Sequence, residues 1–356
     1  MQAQSPYRLI GGPGSPYSMK LRAALRYRRL PHHWIVPTGY INQGGELAKT
    51  GKKTIPVLQL PEDGTYWADS TPLIYKLEQR HPDARSLVPP DPVHAFLSHL
   101  IDDFADEFLV GVLFSYRWGN AADLEFCPRR QLSGWLGAMP TEAFEKMVPM
   151  FRARQVQKLH NGDYGAPQVS IALFEHVYLE LLDALEQMLT QSRFLFGSRP
   201  ALGELGLFGQ LSQLAIDSTA SNIMKQRAPR VFQWVQDLDD ASGIDGEWRN
   251  PQDPSPAGLE RVARLAGAVF LPMAQAHVNA MVQGAARAQA TCLGRSYEGV
   301  ANTYTARCLL QLKDQFAKLT PEAQTRLTQI LGGADMTRWL QFLPDEAALV
   351  SPITPV

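Results

Sequence analysis

The 356-residue sequence predicts two architectures in series, a small α/β domain over residues 1–88 and an all-helical remainder. Three observations predict it. Short apolar strand-like runs alternate with stretches of helical spacing as far as Val88. Pro89-Pro90-Asp91-Pro92 then interrupts both patterns, as a linker does. Beyond it, apolar residues recur mainly at three- and four-residue intervals.

Taken in order, Tyr7 to Gly11 is a short apolar strand, Gly12-Pro13-Gly14 is a turn, and Pro16 occupies a first helical position. Ser15 lies at that helix start. Met19 to Leu25 keeps the helical interval, so the Ser15 hydroxyl faces the positive end of a helix, where an anion is stabilised. A plain strand-to-helix connection accounts for the same residues. Lys52-Lys53-Thr54-Ile55-Pro56-Val57-Leu58 sets a proline at the mouth of an apolar strand, a place an ordinary central strand does not tolerate. Asp63-Gly64 is a hairpin signal and Tyr66-Trp67-Ala68 its returning strand. Asp69-Ser70-Thr71-Pro72 opens a helix to about Arg80, with Asp69 or Ser70 as its N-cap. The expected order is strand, helix, strand, helix, strand, strand, helix.

After the linker the spacing predicts a long helix from Pro92 to Trp118, an irregular, partly helical segment to Gly165, and helices over 170–191, 202–216 and 221–240. Asn250 to Pro256 reads as a second connection, which makes residues 89–242 one domain and 243–356 an extension. In the extension Leu259–Gly284, Tyr304–Leu319 and Pro321–Leu331 read as helices, and Ala290–Gly299 as a small hairpin. Its regular apolar spacing predicts a lobe packed on the helical domain, closing the cleft or meeting another subunit.

A net charge of -1 and a charged fraction of 19% give no global attraction to nucleic acid or an anionic membrane. No apolar run approaches the roughly 20 residues of a bilayer span, and the N-terminus lacks a charged segment followed by a long apolar one, so the expected location is cytoplasmic. Cys127, Cys292 and Cys308 are few, odd in number and far apart, which predicts buried thiols rather than disulfides. The eight histidines show no His-x-x-x-His spacing, so no metal site is expected. The basic run Lys20, Arg22, Arg26, Arg28 and Arg29 reads as a solvated helix face. So does the acidic cluster Asp102, Asp103, Asp106 and Glu107, whose alternative is a polar end to a binding pocket.

Gly14-Ser15-Pro16-Tyr17-Ser18 looks like a glutaredoxin Cys-Pro-Tyr-Cys turn with both thiols replaced by hydroxyls, and Ile55-Pro56-Val57-Leu58 resembles the cis-proline segment of the thioredoxin fold. With Asp69-Ser70-Thr71 following, these segments resemble the N-terminal domain of cytosolic glutathione transferases, of serine type. Phe196 to Leu205 and Ala228 to Val235 are similar to two helix starts of that family's C-terminal domain, although Ala201 stands where members carry a capping hydroxyl. The likeness covers about the first 240 residues. It implies an α/β thioredoxin-like N-terminal domain followed by an all-α C-terminal domain, here with extra C-terminal helices, and a homodimer.

The resemblance also implies glutathione as cosubstrate and a small-molecule electrophile, apolar or aromatic, as the second partner. Asp69 would pair with the γ-glutamyl ammonium, Ser70 would hold the adjacent carboxylate, and Ile55 would bond the cysteinyl peptide, with Pro56 in cis. Lys53, or Lys52, would meet the glycyl carboxylate. Ser15 would sit beside the thiol, with Ser18 as the poorer candidate; Tyr7 is structural. The electrophile pocket is expected between the domains, with aromatic surface from Tyr17, Phe104, Phe108, Tyr116 and Trp118. Conjugation, dehalogenation, ether cleavage and isomerisation all suit the fold. A non-catalytic scaffold is the alternative; a thiol reductase would need a cysteine near Ser15, and none is there.

Overall fold

The computed structural model describes residues 5–36, 45–82, 85–343 and 346. Strand β1 (Tyr7–Ile10) is central: it runs parallel to β2 (His32–Ile35) and antiparallel to β3 (Val57–Gln59), which pairs antiparallel with β4 (Tyr66–Ala68). The order is β2-β1-β3-β4. A parallel neighbour can be reached only through a crossover, which helix α1 (Pro16–Tyr27) supplies. Helices α2 (Gly45–Lys49) and α3 (Ser70–Arg80) complete a thioredoxin-like domain in the expected order. Tyr7 is fully buried with its hydroxyl 2.8 Å from His81 Nε2, which gives it the structural role expected.

The long helix over Pro92–Gly119 is continuous but not uniform. It comprises α4 (Pro92–Asp103), a π-helical turn (Phe104–Leu109) and α5 (Val110–Gly119), and Asp91 Oδ1 accepts from the His94 N–H at its start. The segment expected to be irregular is instead two helices, α6 (Ala121–Leu136) and α7 (Thr141–Asn161). Each carries an interior proline, Pro128 or Pro149, which masks the helical pattern. Helices α8 (Pro167–Met188) and α9 (Leu202–Leu214) follow, and the single helix expected over 221–240 divides at Pro229 into α10 (Ser218–Arg227) and α11 (Pro229–Asp239).

Among the described residues the extension is helical apart from one hairpin. Helix α12 (Ala257–Gln283) lies against α4 and α8, followed by a hairpin of β5 (Arg287–Cys292) and β6 (Arg295–Val300), then α13 (Thr303–Ala317), α14 (Pro321–Leu331) and the short α15 (Ala334–Thr337). By length and composition α12 is long and apolar enough to cross a membrane, unlike anything expected from the sequence, yet most of it is buried inside the protein. Polar contacts fasten the lobe: Arg326 reaches Asp91, and the buried Lys313 Nζ donates to Gln275 Oε1 at 2.7 Å and pairs with Glu346. Cys127, Cys292 and Cys308 are buried and free.

Helix α9 is the hub, with all its residues buried, as a helix apolar on every side requires. Ala201 lacks a capping hydroxyl, and Glu204 supplies the missing order by accepting from the Ala201 and Leu195 N–H groups at 3.0 and 2.7 Å. Three glycines let neighbouring helices approach it. A Cβ on Gly203 would lie 2.7 Å from the Ser98 carbonyl, on Gly206 2.5 Å from Asp102 Oδ1, and on Gly209 2.8 Å from the Pro16 carbonyl. Gly209→Ala must therefore push α1 away from α9. It is expected to lower stability by about 1 to 3 kcal/mol, read as a lower urea midpoint at unchanged slope.

Candidate functional site

Ser15 is the N-cap of α1, and its Oγ accepts from the Ser18 N–H at 3.3 Å. Helix α1 has no acidic residue in its first turn to offset the positive end of its dipole. Around Ser15 opens a cavity of about 570 Å³ between the sheet domain and the helices. Thr54, Ile55 and Pro56 from the loop before β3, and Asp69 and Ser70 at the start of α3, line it on the sheet side. The Ile55-Pro56 peptide is cis. Of the residues expected at the site, Ser15, Ile55, Pro56, Asp69, Ser70 and Tyr17 share this cavity, whereas Lys53 is exposed and outside its lining. Ser18 is fully buried and also outside.

The turn carrying Ser15 is held by the helical domain. Its Pro13 carbonyl accepts from Gln213 Nε2 at 3.1 Å and Arg130 Nη2 at 3.4 Å, and its Gly14 carbonyl from Arg117 Nη1 at 3.2 Å and Gln131 Nε2 at 3.3 Å. Arg117 is itself fixed by Asp217 at 2.6 Å. The two glycines answer to this contact: a Cβ on Gly12 would lie 2.6 Å from Trp135 Nε1, and one on Gly14 2.3 Å from Gln131 Oε1.

Burial overturns the solvated-face expectation for the acidic cluster and, on α1 and its end, for Lys20 and Arg28, while Arg22 and Arg26 are half-buried and Arg29 is exposed. Lys20 is fully buried, its Nζ 2.6 Å from Asp102 Oδ1, 2.7 Å from Asp106 Oδ2 and 2.7 Å from Thr71 Oγ1, while Thr71 donates to Asp102 Oδ2 at 2.8 Å. The other basic residues of α1 and its end pair with acids as well, Arg22 and Arg26 with Asp239, Arg28 with Glu78 and Arg29 with Asp245. Asp102, Asp103 and Asp106 are buried, and Asp106 and Glu107 line the cavity. The polar-end alternative describes Asp106 and Glu107, whereas Asp102 and Asp103 lie outside the lining.

That end of the cavity is acidic. Burial pushes the Asp106 carboxyl up to about 7 against the pull of Lys20, and pushes Glu107 up to about 7 against its bond from Thr305. Asp69 is raised too, chiefly by burial. It holds φ at 78°, a strained value for a residue with a side chain, and its carboxylate accepts from the Tyr304 hydroxyl at 2.9 and 2.8 Å. The Thr305 hydroxyl donates to Glu107 Oε2 at 2.6 Å. Tyr17, its hydroxyl donating to the Asp106 carbonyl at 3.0 Å, stays protonated, because burial raises its pKa well above 10. His277 also lines the cavity, but its Nδ1 accepts from the Asn302 N–H at 3.1 Å, its Nε2 meets the Tyr297 hydroxyl at 3.1 Å, and burial lowers its pKa to about 4. It is a neutral structural imidazole.

The opposite end has an aromatic wall, with Gln131, Gln155, Lys158 and Asp163 also in the lining. Val110, Leu113, Phe114 and Trp118 of α5, Trp135 of α6, Phe151 of α7 and Tyr164 form the wall. Phe114 lies 4.3 Å from Tyr164 between ring centroids, and Phe151 meets both Trp118 and Trp135 edge-on. Three residues expected on this wall, Phe104, Phe108 and Tyr116, are not there. Phe108 stacks on Phe104 and meets Phe174, and Tyr116 packs on Tyr178, all inside the core. Helical spacing separates the two sets: 106, 107, 110, 113, 114, 117 and 118 share one face, and 108 and 116 point away from it. Counting aromatics missed that face, and following the period from Asp106 would have found it.

Residues 9–85 match the family described as glutathione S-transferase, N-terminal domain, and residues 170–237 the one described as glutathione S-transferase, C-terminal domain. Similar solved structures include a glutathione S-transferase from Methylobacterium radiotolerans in complex with glutathione sulfonate, 18% identical, TM-score 0.42, covering 70% of this chain and 99% of that one. A β-etherase from Sphingobium sp. strain SYK-6 is 19% identical at TM-score 0.47, covering 67% and 98%. No curated protein matches the chain.

The raised Glu107 carboxyl has a measurable consequence. Its folded pKa of about 7 exceeds the unfolded value of about 4.3, so with rising pH the unfolded chain gives up this proton first. The resulting loss of stability begins near pH 4.3 and is complete above pH 7. Glu107→Gln keeps an acceptor for Thr305 and cannot ionise. It is expected to be more stable than the wild type by roughly 2 kcal/mol at pH 8, solvent in the cavity screening part of the effect, and no more stable at pH 4. Urea unfolding at the two pH values checks this; an equal gain at both would remove ionisation as the cause.

Proposed function

Because the chain belongs to the glutathione S-transferase superfamily, we propose that it is a glutathione-dependent transferase in which the Ser15 hydroxyl holds the glutathione sulfur as thiolate for attack on a small apolar or aromatic electrophile. One observation carries the reading: Ser15 Oγ is already committed as acceptor to the Ser18 N–H, in the lining of a cavity that continues to an aromatic wall. The hydroxyl hydrogen is left to donate toward the cavity.

A free thiol with a pKa of about 8.5 is only a few per cent ionised at neutral pH. Lowering that pKa by two takes roughly 2.7 kcal/mol of preference for the thiolate. A hydroxyl donating to a charged sulfur contributes about 1.5 to 3 kcal/mol, and the uncompensated end of α1 up to about 1 more. Together they suffice without a protein base. The thiolate then forms a bond to the electrophilic carbon; in a substitution, the leaving group departs with the bonding pair.

The rest of glutathione spans the sheet side. Asp69 takes the γ-glutamyl ammonium, the start of α3 at Ser70 takes the adjacent carboxylate, and the Ile55 backbone beside Pro56 takes the cysteinyl peptide. Lys53, exposed just outside the lining, meets the glycyl carboxylate from solvent. The electrophile lies against Phe114, Trp118, Trp135 and Phe151, a surface suited to a flat apolar group.

Calorimetric titration of glutathione into wild type, Ser15→Ala and Ser15→Thr, with the ultraviolet absorbance of bound thiolate followed against pH, tests the assignment. Wild type should bind with a thiolate signal at neutral pH. Ser15→Ala should raise the bound thiol pKa by about one to two units and cut turnover of an activated aryl halide about 10- to 100-fold, while Ser15→Thr, which keeps the hydroxyl, recovers most of both. No binding at millimolar glutathione would refute the transferase and leave the scaffold.

A further inference from the structure

The two matched family domains end at residue 237, yet Asn302, Tyr304 and Thr305, far beyond that point, line the same cavity as Ser15 and Asp69. Helix α13 sits with its N-terminus over the acidic end. Asn302 caps it by accepting from the Tyr304 and Thr305 N–H groups at 2.8 and 3.5 Å, and the side chains of Tyr304 and Thr305 line the cavity. Tyr304 donates to both Asp69 oxygens and Thr305 to Glu107. Tyr304 is 37% exposed overall, so its ring forms the rim of the opening while its hydroxyl is the group committed inward.

The charges at this end do not balance among the described residues. Lys20 is shared by Asp102 and Asp106. Asp69 and Glu107 have hydroxyl partners but no ion pair with a lysine or arginine. Asp106 and Asp69 add to the cost of charging Glu107, and Asp106 to that of charging Asp69, so this end of the cavity favours a cation. An ammonium offers three donors, and the acceptors at hand are the Asp69 carboxylate, the Glu107 carboxylate and the remaining lone pairs of the Tyr304 oxygen.

We propose that Tyr304, with Glu107 held by Thr305, makes the C-terminal extension part of the ligand site, as the residues that determine selectivity for a thiol ligand bearing a free ammonium group. The inference rests on the glutathione reading above, which already gives Asp69 the ammonium. It adds that the extension is a wall of that subsite and that Tyr304 is a specificity residue there: its hydroxyl orients the Asp69 carboxylate and accepts a hydrogen bond from the bound ammonium. A ligand lacking the ammonium would leave Asp69 and Glu107 facing each other without a counter-charge.

The test compares glutathione with glutaryl-cysteinylglycine, which is glutathione with the ammonium replaced by hydrogen, by calorimetry at pH 8 on full-length wild type, Tyr304→Phe and Glu107→Gln. Wild type should prefer glutathione by about 100-fold, and each variant should lose about tenfold of that preference, with its affinity for the desamino ligand unchanged or improved. Tyr304→Phe keeps the ring, so a loss of folding is read separately from its melting temperature. Equal weakening of both ligands in Tyr304→Phe, or no change in either, overturns the proposal while the glutathione reading stands. Failure of wild type to bind either ligand at millimolar concentration overturns both together.

Discussion

The geometry of the cavity depends on one buried ammonium. Lys20 on α1 reaches across to Asp102 and Asp106 of the long helix and to Thr71 on α3, so three elements that contribute to the site meet at a single nitrogen. Burying such a group is costly, and only full coordination offsets the desolvation. Here each donor has a taker: two carboxylates and a hydroxyl surround Nζ, and the neighbouring acids raise its pKa, so it stays charged. The cluster fixes direction more than it adds stability. It sets the start of α1, with Ser15, at a constant distance from the start of α3, with Asp69 and Ser70. The small residues of α9 then allow the approach, with Gly206 against Asp102 and Gly209 against Pro16.

How much of this was legible follows from the range of each interaction. The order of elements through Arg80, the proline segment before β3 and the serine at the start of α1 are all written in short stretches of chain, where turn chemistry and spacing act locally. Lys20 departs from the expectation although a local signal exists: Pro16, Lys20, Ala23, Ala24 and Tyr27 are spaced as one buried helix face, and all five are buried. Its charge masks its position. Asp102 and Asp106 repeat the case on the opposing helix, because an acid needs a cation to be buried, and the cation lies 82 and 86 residues earlier in the chain. No window of helical length contains both halves of the pair.

The wall formed by α6 and α7 and the placement of the extension were less accessible still. Pro128 and Pro149 interrupt the local pattern, and both helices persist because tertiary packing outweighs the lost backbone bond. Periodicity identified the helices of the extension correctly but says nothing about where they dock. The contacts that decide it, Tyr304 on Asp69 and Arg326 on Asp91, each join residues 235 positions apart. Helix α12 makes the same point in reverse. Its composition alone suits a bilayer, and only its neighbours show it to be a core helix.

The acidic end is unfavourable to folding. Asp69 holds a strained backbone, and Asp106 and Glu107 resist ionisation at neutral pH. Strain and unbalanced charge persist in a fold where they serve a ligand, because a ligand that supplies the missing charge recovers their cost on binding. Elsewhere in the lining, the first turn of α1 carries no acid and favours an anion beside Ser15. A cavity with one place set for a cation and another for an anion imposes an order on whatever fills it. On the function proposed, glutathione satisfies both places in a single orientation, its ammonium at Asp69 and its sulfur at Ser15, and that orientation aims the sulfur at the aromatic wall. Polarity, rather than shape alone, then determines which atom of the ligand meets the electrophile.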